Sequence, residues 1–303
     1  MYATAAVARN SRSATALEYP VVNNQHLSLE WQQWIRDNLA RACTVPSMVE
    51  MMVQANFDAH FASECIAKVQ GSQIVSGIQA TTPYVYEEPR FPMHGNVIAT
   101  ADRHVRVSMR LSKPVVAVLD DLFSMDECDE LIRLSRIKLQ RSTIVDPVTG
   151  RETVIDARSS YGTFFHAGET EFIAKLETRI ATVMNWPAEN GEGLQILNYQ
   201  VGAEYKPHFD YFPPGDPGSA VHLAKGGQRV STLVIYLNDV EGAGETMFPE
   251  IGLSVSPKKG SAVYFEYCNN LGQTDPLSLH CGVAVAAGEK WIATKWMRQG
   301  SYG

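Results

Sequence analysis

From Leu194 onward the chain is a succession of short strand-like runs separated by turn residues, and few folds accommodate that pattern. The runs are 194–199, 230–237, 245–248, 261–266, 277–283 and 290–297. Gly and Pro clusters such as Pro213-Pro-Gly215 and Gly242-Ala-Gly244 punctuate them. Upstream, Val105, Val107, Met109 and Leu111 alternate with Arg106, Ser108, Arg110 and Ser112, the period of a half-buried strand. Val115–Leu119 and Ser160–Phe165 are further strands. Two helices stand among them. Ser124-Met-Asp-Glu127 is a capping box, followed by Cys128, Leu131, Ile132 and Ser135 at helical spacing. Glu169–Met184 carries Ile173, Leu176, Ile180 and Val183 on one face. Two helices followed by many short antiparallel strands predict a mainly β, α+β architecture, a jelly-roll-like barrel braced by helices.

The barrel occupies 104–303, and the remainder divides into three stretches. Residues 1–25 lack sustained periodicity and are expected to form a mobile tail. Residues 26–70 predict a small helical bundle. Trp31, Trp34, Ile35, Leu39 and Ala42 recur near helical spacing, and Ser47-Met-Val-Glu50 is a capping-box pattern for a second helix. Asp58 can cap a third, with Phe61, Cys65 and Val69 on one stripe. Such stripes report burial before they report partner recognition. Residues 71–103, with Pro83, Pro89 and Pro92, are expected to be a connector or lid without regular structure.

Composition excludes several classes. Hydrophobic residues at 45% and charged residues at 19% exclude wholesale disorder. A formal charge of -7, from 33 acids and 26 bases, makes the chain a poor ligand for nucleic acid. Cysteines 43, 65, 128, 268 and 281 form no CxxC pair, which argues against a zinc knuckle or a disulfide framework. No apolar run is long enough to span a bilayer. The first ten residues lack a basic region followed by an apolar core, so an uncleaved, cytoplasmic chain is expected.

The chemistry concentrates in His208-Phe-Asp210. On a strand, residues i and i+2 share a face, so one imidazole and one carboxylate converge. With one more histidine they make a facial triad that leaves metal positions open. Of the eight histidines, only His280 sits in a late strand-like run, Leu277–Val283, and it is the third candidate ligand. The triplet alone is common by chance, and a lone strand histidine is usually structural. A triad of this kind that activates oxygen needs a two-electron co-substrate. If that is 2-oxoglutarate, its distal carboxylate needs a buried cation and hydroxyls. Strand alternation puts Lys290, Ile292, Thr294 and Trp296 on one face and Lys295 on the other, so Lys290 can point inward while Lys295 is expected to be solvated. Tyr199 and Thr246 can add hydroxyl donors, although buried tyrosines and strand threonines are common.

These motifs together resemble the prolyl 4-hydroxylases. The likeness is carried by Leu194-Gln-Ile-Leu-Asn-Tyr199, Tyr205-Lys-Pro-His208-Phe-Asp210-Tyr-Phe212 and Gly226-Gly-Gln-Arg-Val230. Thr232–Asn238, Gly244-Glu-Thr246-Met-Phe-Pro249, Pro257-Lys-Lys-Gly260 and the end from His280 through Lys290-Trp-Ile-Ala-Thr-Lys-Trp296 carry it further. Lys113-Pro-Val-Val, Ser124–Cys128 and Ala157-Arg-Ser-Ser-Tyr-Gly-Thr163 extend it over about residues 113–298, and residues 1–112 lie outside it. The resemblance implies an Fe(II)- and 2-oxoglutarate-dependent dioxygenase on a double-stranded β-helix. Its cofactor set would be Fe(II), 2-oxoglutarate and O2, with ascorbate expected alongside. By position it implies His208, Asp210 and His280 as iron ligands and Lys290, Tyr199 and Thr246 around the 2-oxoglutarate carboxylate. Tyr205, Arg229 and Trp296 would face a proline-containing peptide. One departure concerns substrate choice: some members carry histidine two positions after Trp296, where this chain has Arg298.

The implied reaction is hydroxylation of proline, at C4, in a peptide or protein, with decarboxylation of 2-oxoglutarate to succinate. The same chemistry on a free amino acid or small molecule, or a catalytically silent binding module, are the alternatives. Asp210 argues against a halogenase, because it fills the position that halide would need. The loops about 143–158 and 211–228 are expected to close over peptide.

Overall fold

The computed structural model describes residues 27, 29–41, 43–55, 57–73, 83–213 and 215–302. The tail expected over 1–25 lies outside them. In chain order the elements are α1 (Leu29–Ala40), α2 (Val45–Gln54), α3 (Ala59–Gln73), β1 (Val97–Ala99), β2 (His104–Ser112), β3 (Val115–Asp120) and α4 (Met125–Arg136). Then come β4 (Gln140–Arg141), β5 (Ile144–Val145), β6 (Glu152–Thr153), β7 (Tyr161–Phe165), α5 (Glu171–Met184), β8 (Leu194–Tyr199), β9 (Tyr205–His208) and α6 (Ser219–Leu223). The chain continues through β10 (Arg229–Tyr236), β11 (Gly242–Ala243), β12 (Thr246–Phe248), β13 (Leu253–Val255), β14 (Ala262–Glu266), β15 (His280–Gly282), β16 (Val285–Ala287) and β17 (Lys290–Arg298). Among the described residues, no helix is long and apolar enough to cross a membrane.

A nine-stranded antiparallel sheet runs β1-β2-β3-β14-β10-β17-β8-β7-β4, and a four-stranded one runs β13-β12-β15-β9. Their inner faces pack through Leu197, Val234, Phe265 and Ile292 of the large sheet against Phe248 and Val255 of the small one. The outer face of the large sheet is covered by α4 and α5, whose Leu131, Leu176 and Ile180 share a core with Leu233, Trp291 and Met297. This is the expected jelly-roll core with flanking helices. Both helices start where their caps dictate. Ser124 and Glu127 make the reciprocal capping box of α4, and Thr170 accepts from the Ile173 amide to open α5.

β17 lies between β10 and β8, and all nine of its residues are buried. Its side chains alternate between the two layers. Ile292 enters the inner core, while Trp291, Ala293 and Met297 enter the outer one. Lys295 follows the outer set, and here the expectation of a solvated side chain fails. That face is roofed by α5, so Lys295 is buried and its Nζ meets Glu177 Oε1 at 2.5 Å.

The N-terminal region folds as three helices around Ile35, Met48, Met52, Ala62 and Ile66, joined in that core by Leu279 from the residue just before β15. The Asp58 cap is present, its Oδ1 accepting from the His60 and Phe61 amides. Phe61, Cys65 and Val69 flank the core rather than form its centre. The second helix begins earlier than Ser47. Thr44 is its cap, and Pro46 in the first turn suits a start at Val45. The connector also contains more order than its prolines suggest. Val97–Ala99 forms β1 by pairing with His104–Arg106, and Phe91 is buried against Tyr264 with ring centroids 4.8 Å apart.

The buried Glu177–Lys295 pair generates a test. Glu177→Ala strands an ammonium beneath α5 and should cost about 3–5 kcal/mol of stability. Urea titration measures it, and a loss below about 1 kcal/mol would place Lys295 in contact with water.

Candidate active site

The antiparallel register of β9 and β15 sets His208 opposite His280, with ring centroids 4.4 Å apart. Each Nδ1 lies beside the carbonyl two residues earlier: His208 with Lys206 at 2.8 Å and His280 with Ser278 at 3.0 Å. A carbonyl can only accept, so both Nδ1 atoms carry the proton and both Nε2 atoms present lone pairs. Asp210 stands between them, Oδ1 3.6 Å from His208 Nε2 and Oδ2 3.7 Å from His280 Nε2. One donor atom from each residue lies within 4.8 Å of the other two. The convergence does not arise as strand alternation suggested. β9 ends at His208, and Asp210 stands on a bend beyond it. Thr232 of β10 aims the carboxylate by donating to Asp210 Oδ2 at 2.6 Å, and Tyr267 OH lies 2.9 Å from the Thr232 hydroxyl.

The charge state of this cluster suits a divalent cation. Burial and the neighbouring His280 push His208 down to about 3, so the ring is neutral at physiological pH. Burial works against ionisation of Asp210, but the two imidazoles, Arg229 and the Thr232 hydroxyl outweigh it and hold the carboxyl at about 2. Two imidazoles and one carboxylate are a facial donor set for ferrous iron.

Lys290, Tyr199 and Thr246 line the same narrow cavity as the triad, which has a volume of about 50 Å3. Lys290 is the cross-strand partner of Tyr199, and Thr246 that of Gly282. Lys290 is 2% exposed. Among the described residues it has no carboxylate within ion-pair distance, and burial lowers its ammonium to about 8. Its Nζ instead lies 5.5 Å from the Tyr199 ring centre and 5.9 Å from that of Tyr236. Tyr236 OH donates to Thr246 Oγ1 at 2.8 Å, which turns the threonine's remaining hydrogen toward other acceptors. A buried cation without an internal anion is suited to receive an anionic ligand. The cavity therefore joins the three metal-donor side chains to an ammonium open to an anion.

The cavity opens on a wider groove of about 530 Å3, with Tyr205, His208, Asp210 and Trp296 lining both. Tyr205 stacks on His208 with centroids 3.5 Å apart. Arg229 stacks on Trp296 at 3.9 Å and is held by Glu192, with contacts of 2.6 and 2.8 Å. Arg298 does not line this space. It is buried behind Arg229, donating to the same Glu192 Oε1 at 2.7 Å and to the carbonyls of His222 and Gly227. It reaches the groove wall only through the Glu192 carboxylate that it shares with Arg229. Both expected loops border the groove. They are joined to each other, the Gly218 amide donating to Pro147 O at 2.9 Å and His222 Nε2 lying 2.8 Å from Gly150 O. The first contains the β5–β6 hairpin around Asp146, whose two-residue strands are too short to show periodicity.

Four further residues belong to the site. Arg158 lines both spaces and donates to Thr143 O at 2.8 Å and Gln195 Oε1 at 3.0 Å. Thr232, Tyr236 and Glu192 act as described above. Arg158, Thr232 and Tyr236 lie inside quoted motifs, yet only the pairing of the two sheets shows what they touch. No local pattern marks Glu192.

Thr232→Val removes the hydrogen bond that fixes Asp210 and keeps the shape. Metal affinity, read by titration with Co(II), should fall about 10–100-fold, and an unchanged affinity would mean that Asp210 is positioned by other means.

Residues 194–298 match the 2OG-Fe(II) oxygenase superfamily. Prolyl 4-hydroxylase 1 of Arabidopsis thaliana is 43% identical over 201 residues, covering 61% of this chain and 69% of the relative. Prolyl 4-hydroxylase 2 of the same plant is 37% identical over 218 residues, covering 65% and 71% respectively. A viral collagen prolyl hydroxylase from Paramecium Bursaria Chlorella virus-1, solved with 2-oxoglutarate, superposes with a TM-score of 0.49 at 30% identity, covering 60% of this chain and 95% of that one. Membership at this level implies Fe(II), 2-oxoglutarate and O2 as the cofactor set. The chain is therefore an enzyme of the prolyl 4-hydroxylase family, within the 2OG-Fe(II) oxygenase superfamily.

Proposed function

We propose that this protein hydroxylates proline, at C4, within a peptide or protein, using Fe(II), 2-oxoglutarate and O2, with ascorbate supporting turnover. The observation that carries the reading is the buried Lys290 ammonium, which has no carboxylate within ion-pair distance among the described residues and shares one cavity with His208, Asp210 and His280. His208, Asp210 and His280 would hold the iron through two Nε2 atoms and one carboxylate. Lys290 would neutralise the distal carboxylate of 2-oxoglutarate, with Thr246 and Tyr199 directing it. When bound, iron and 2-oxoglutarate supply the oxidising chemistry that installs the hydroxyl and releases succinate.

The protein's own residues supply position, charge and dryness. Trp296 and the Arg229 guanidinium stacked on it form one side of the path between cavity and groove. Tyr205, stacked on His208, forms another. The groove is more than ten times the volume of the cavity, so the small acid and a chain-like substrate have separate places. The coupled loops 143–158 and 211–228 flank the groove and would screen the site from water.

Incubation with proline-rich peptides, Fe(II), 2-oxoglutarate and ascorbate should give hydroxyproline by tandem mass spectrometry. His208→Ala should give none. Succinate formed without any modified peptide, across a broad peptide pool, would sink the peptide reading.

The Lys290 charge sets a pH dependence. The ammonium is present below about 8 and lost above it. For 2-oxoglutarate, kcat/KM should therefore be level below that pH and fall about tenfold per unit above it. Lys290→Arg, which stays charged, should abolish that limb. A wild-type profile that is flat to pH 10 would remove Lys290 from this role.

A further inference from the structure

We propose that helix α1 is a wall of the substrate groove and, with the β5–β6 hairpin, selects peptides carrying lysine or arginine near the target proline. The inference deepens the peptide-hydroxylase reading and rests on it. The residues matching the oxygenase superfamily are 194–298, so α1 lies outside the catalytic unit that they define. The groove nevertheless includes Trp31, Trp34 and Asp37 of α1 beside His208, Asp210 and Trp296.

The bundle is docked at the ligand strand itself. Trp34 Nε1 donates to Pro207 O at 3.4 Å, one residue before His208. Lys206 Nζ stands 4.9 Å from the Trp31 ring centre. Arg41 lies 5.0 Å from the Phe209 ring centre and 3.9 Å from Asp216. Leu279, adjacent to His280, is part of the bundle's own core. A helix fixed on both sides of the triad in this way is part of the approach to it.

The chemistry of the wall specifies the occupant. Trp31 and Trp34 meet edge to face with centroids 5.1 Å apart, and both are only partly buried. Aromatic grooves of this type suit the extended conformation that proline-rich chains already adopt. Asp37 on α1, Asp146 and Glu152 on the hairpin and Asp156 just beyond it add four carboxylates to the groove. None of the four has a cationic partner among the described residues. Of the four cations lining the groove, Arg41 pairs with Asp216 and Arg229 with Glu192, while Lys206 stands over Trp31 and Arg158 donates to Thr143 O and Gln195 Oε1. Unneutralised carboxylates on two separate elements, continuous with the catalytic cavity, complement a basic peptide.

The test uses the full chain and fluorescein-labelled proline-rich peptides that differ only in flanking lysine, glutamine or glutamate, with binding followed by anisotropy. Wild type should bind the lysine peptide about fivefold tighter than the glutamine one, a preference that shrinks in high salt. Asp37→Lys and Asp156→Lys should each erase most of that preference. Glu64→Lys, the same charge change on the exposed face of α3, should leave it intact. No lysine preference in wild type, or an equal loss in Glu64→Lys, overturns the proposal. So does sedimentation showing a dimer that peptide does not displace, which would give the face to a second copy. Hydroxylation is assayed separately on the same peptides. Selective binding without hydroxyproline would refute the reaction and leave the groove's specificity standing, whereas hydroxylation without charge preference would do the reverse.

Discussion

Burying an ammonium without a carboxylate beside it is among the costlier things a protein core can do. Lys290 is such a group, and burial pulls its proton affinity down accordingly. The surroundings compensate only in part, through the field of Glu245 and the faces of Tyr199 and Tyr236. Lys295, five residues along the same strand, is equally buried yet fully paired with Glu177. The contrast separates a paired lysine from an unpaired one. One is satisfied by a helix of the same chain, and the other remains available to an anion from outside.

Both lysines stand on β17, and the strand's alternation decides their fates. One face of β17 meets the small sheet and the site, and the other meets α4 and α5. The iron-binding candidates come from the opposing sheet, where the β9–β15 register sets two imidazoles side by side. Backbone carbonyls fix their tautomers, and Thr232, reaching across from the large sheet, fixes the carboxylate. The site is thus a joint product of two sheets. The small sheet's side carries the three metal-ligand candidates, and the large sheet supplies Lys290 and Tyr199.

The outer shell shows how charge is carried away from the reacting centre. Glu192 binds Arg229 and Arg298 together, and Arg229 in turn covers Trp296. The family's variation two residues beyond Trp296 is therefore expressed here as buried electrostatics rather than as a new contact in the groove. On the solvent side, α1 and the β5–β6 hairpin frame the groove with carboxylates that form no ion pair among the described residues. The catalytic unit and the N-terminal bundle, which resemble nothing in each other, share one surface.

Much of this was legible in the residues. Period-two alternation marked β2 and sorted the faces of β17, because a half-buried or doubly covered strand must sort its side chains by layer. Capping chemistry marked α4, since those hydrogen bonds are local, and a one-sided apolar stripe marked α5. The His-x-Asp triplet, the late histidine and Lys290 stood out because chemistry restricts which side chains can hold a metal or an anion. Other features depended on distant partners and left no local trace: the α5 roof over Lys295, Thr232 behind Asp210, Glu192 between two arginines, and α1 against Pro207. Asp210 shows the division most clearly. Its identity is written in the triplet, but its aim is not a strand property, because the strand ends at His208. Local periodicity encodes which face a side chain takes. Which atoms wait on that face is decided only when segments far apart in the chain pack together.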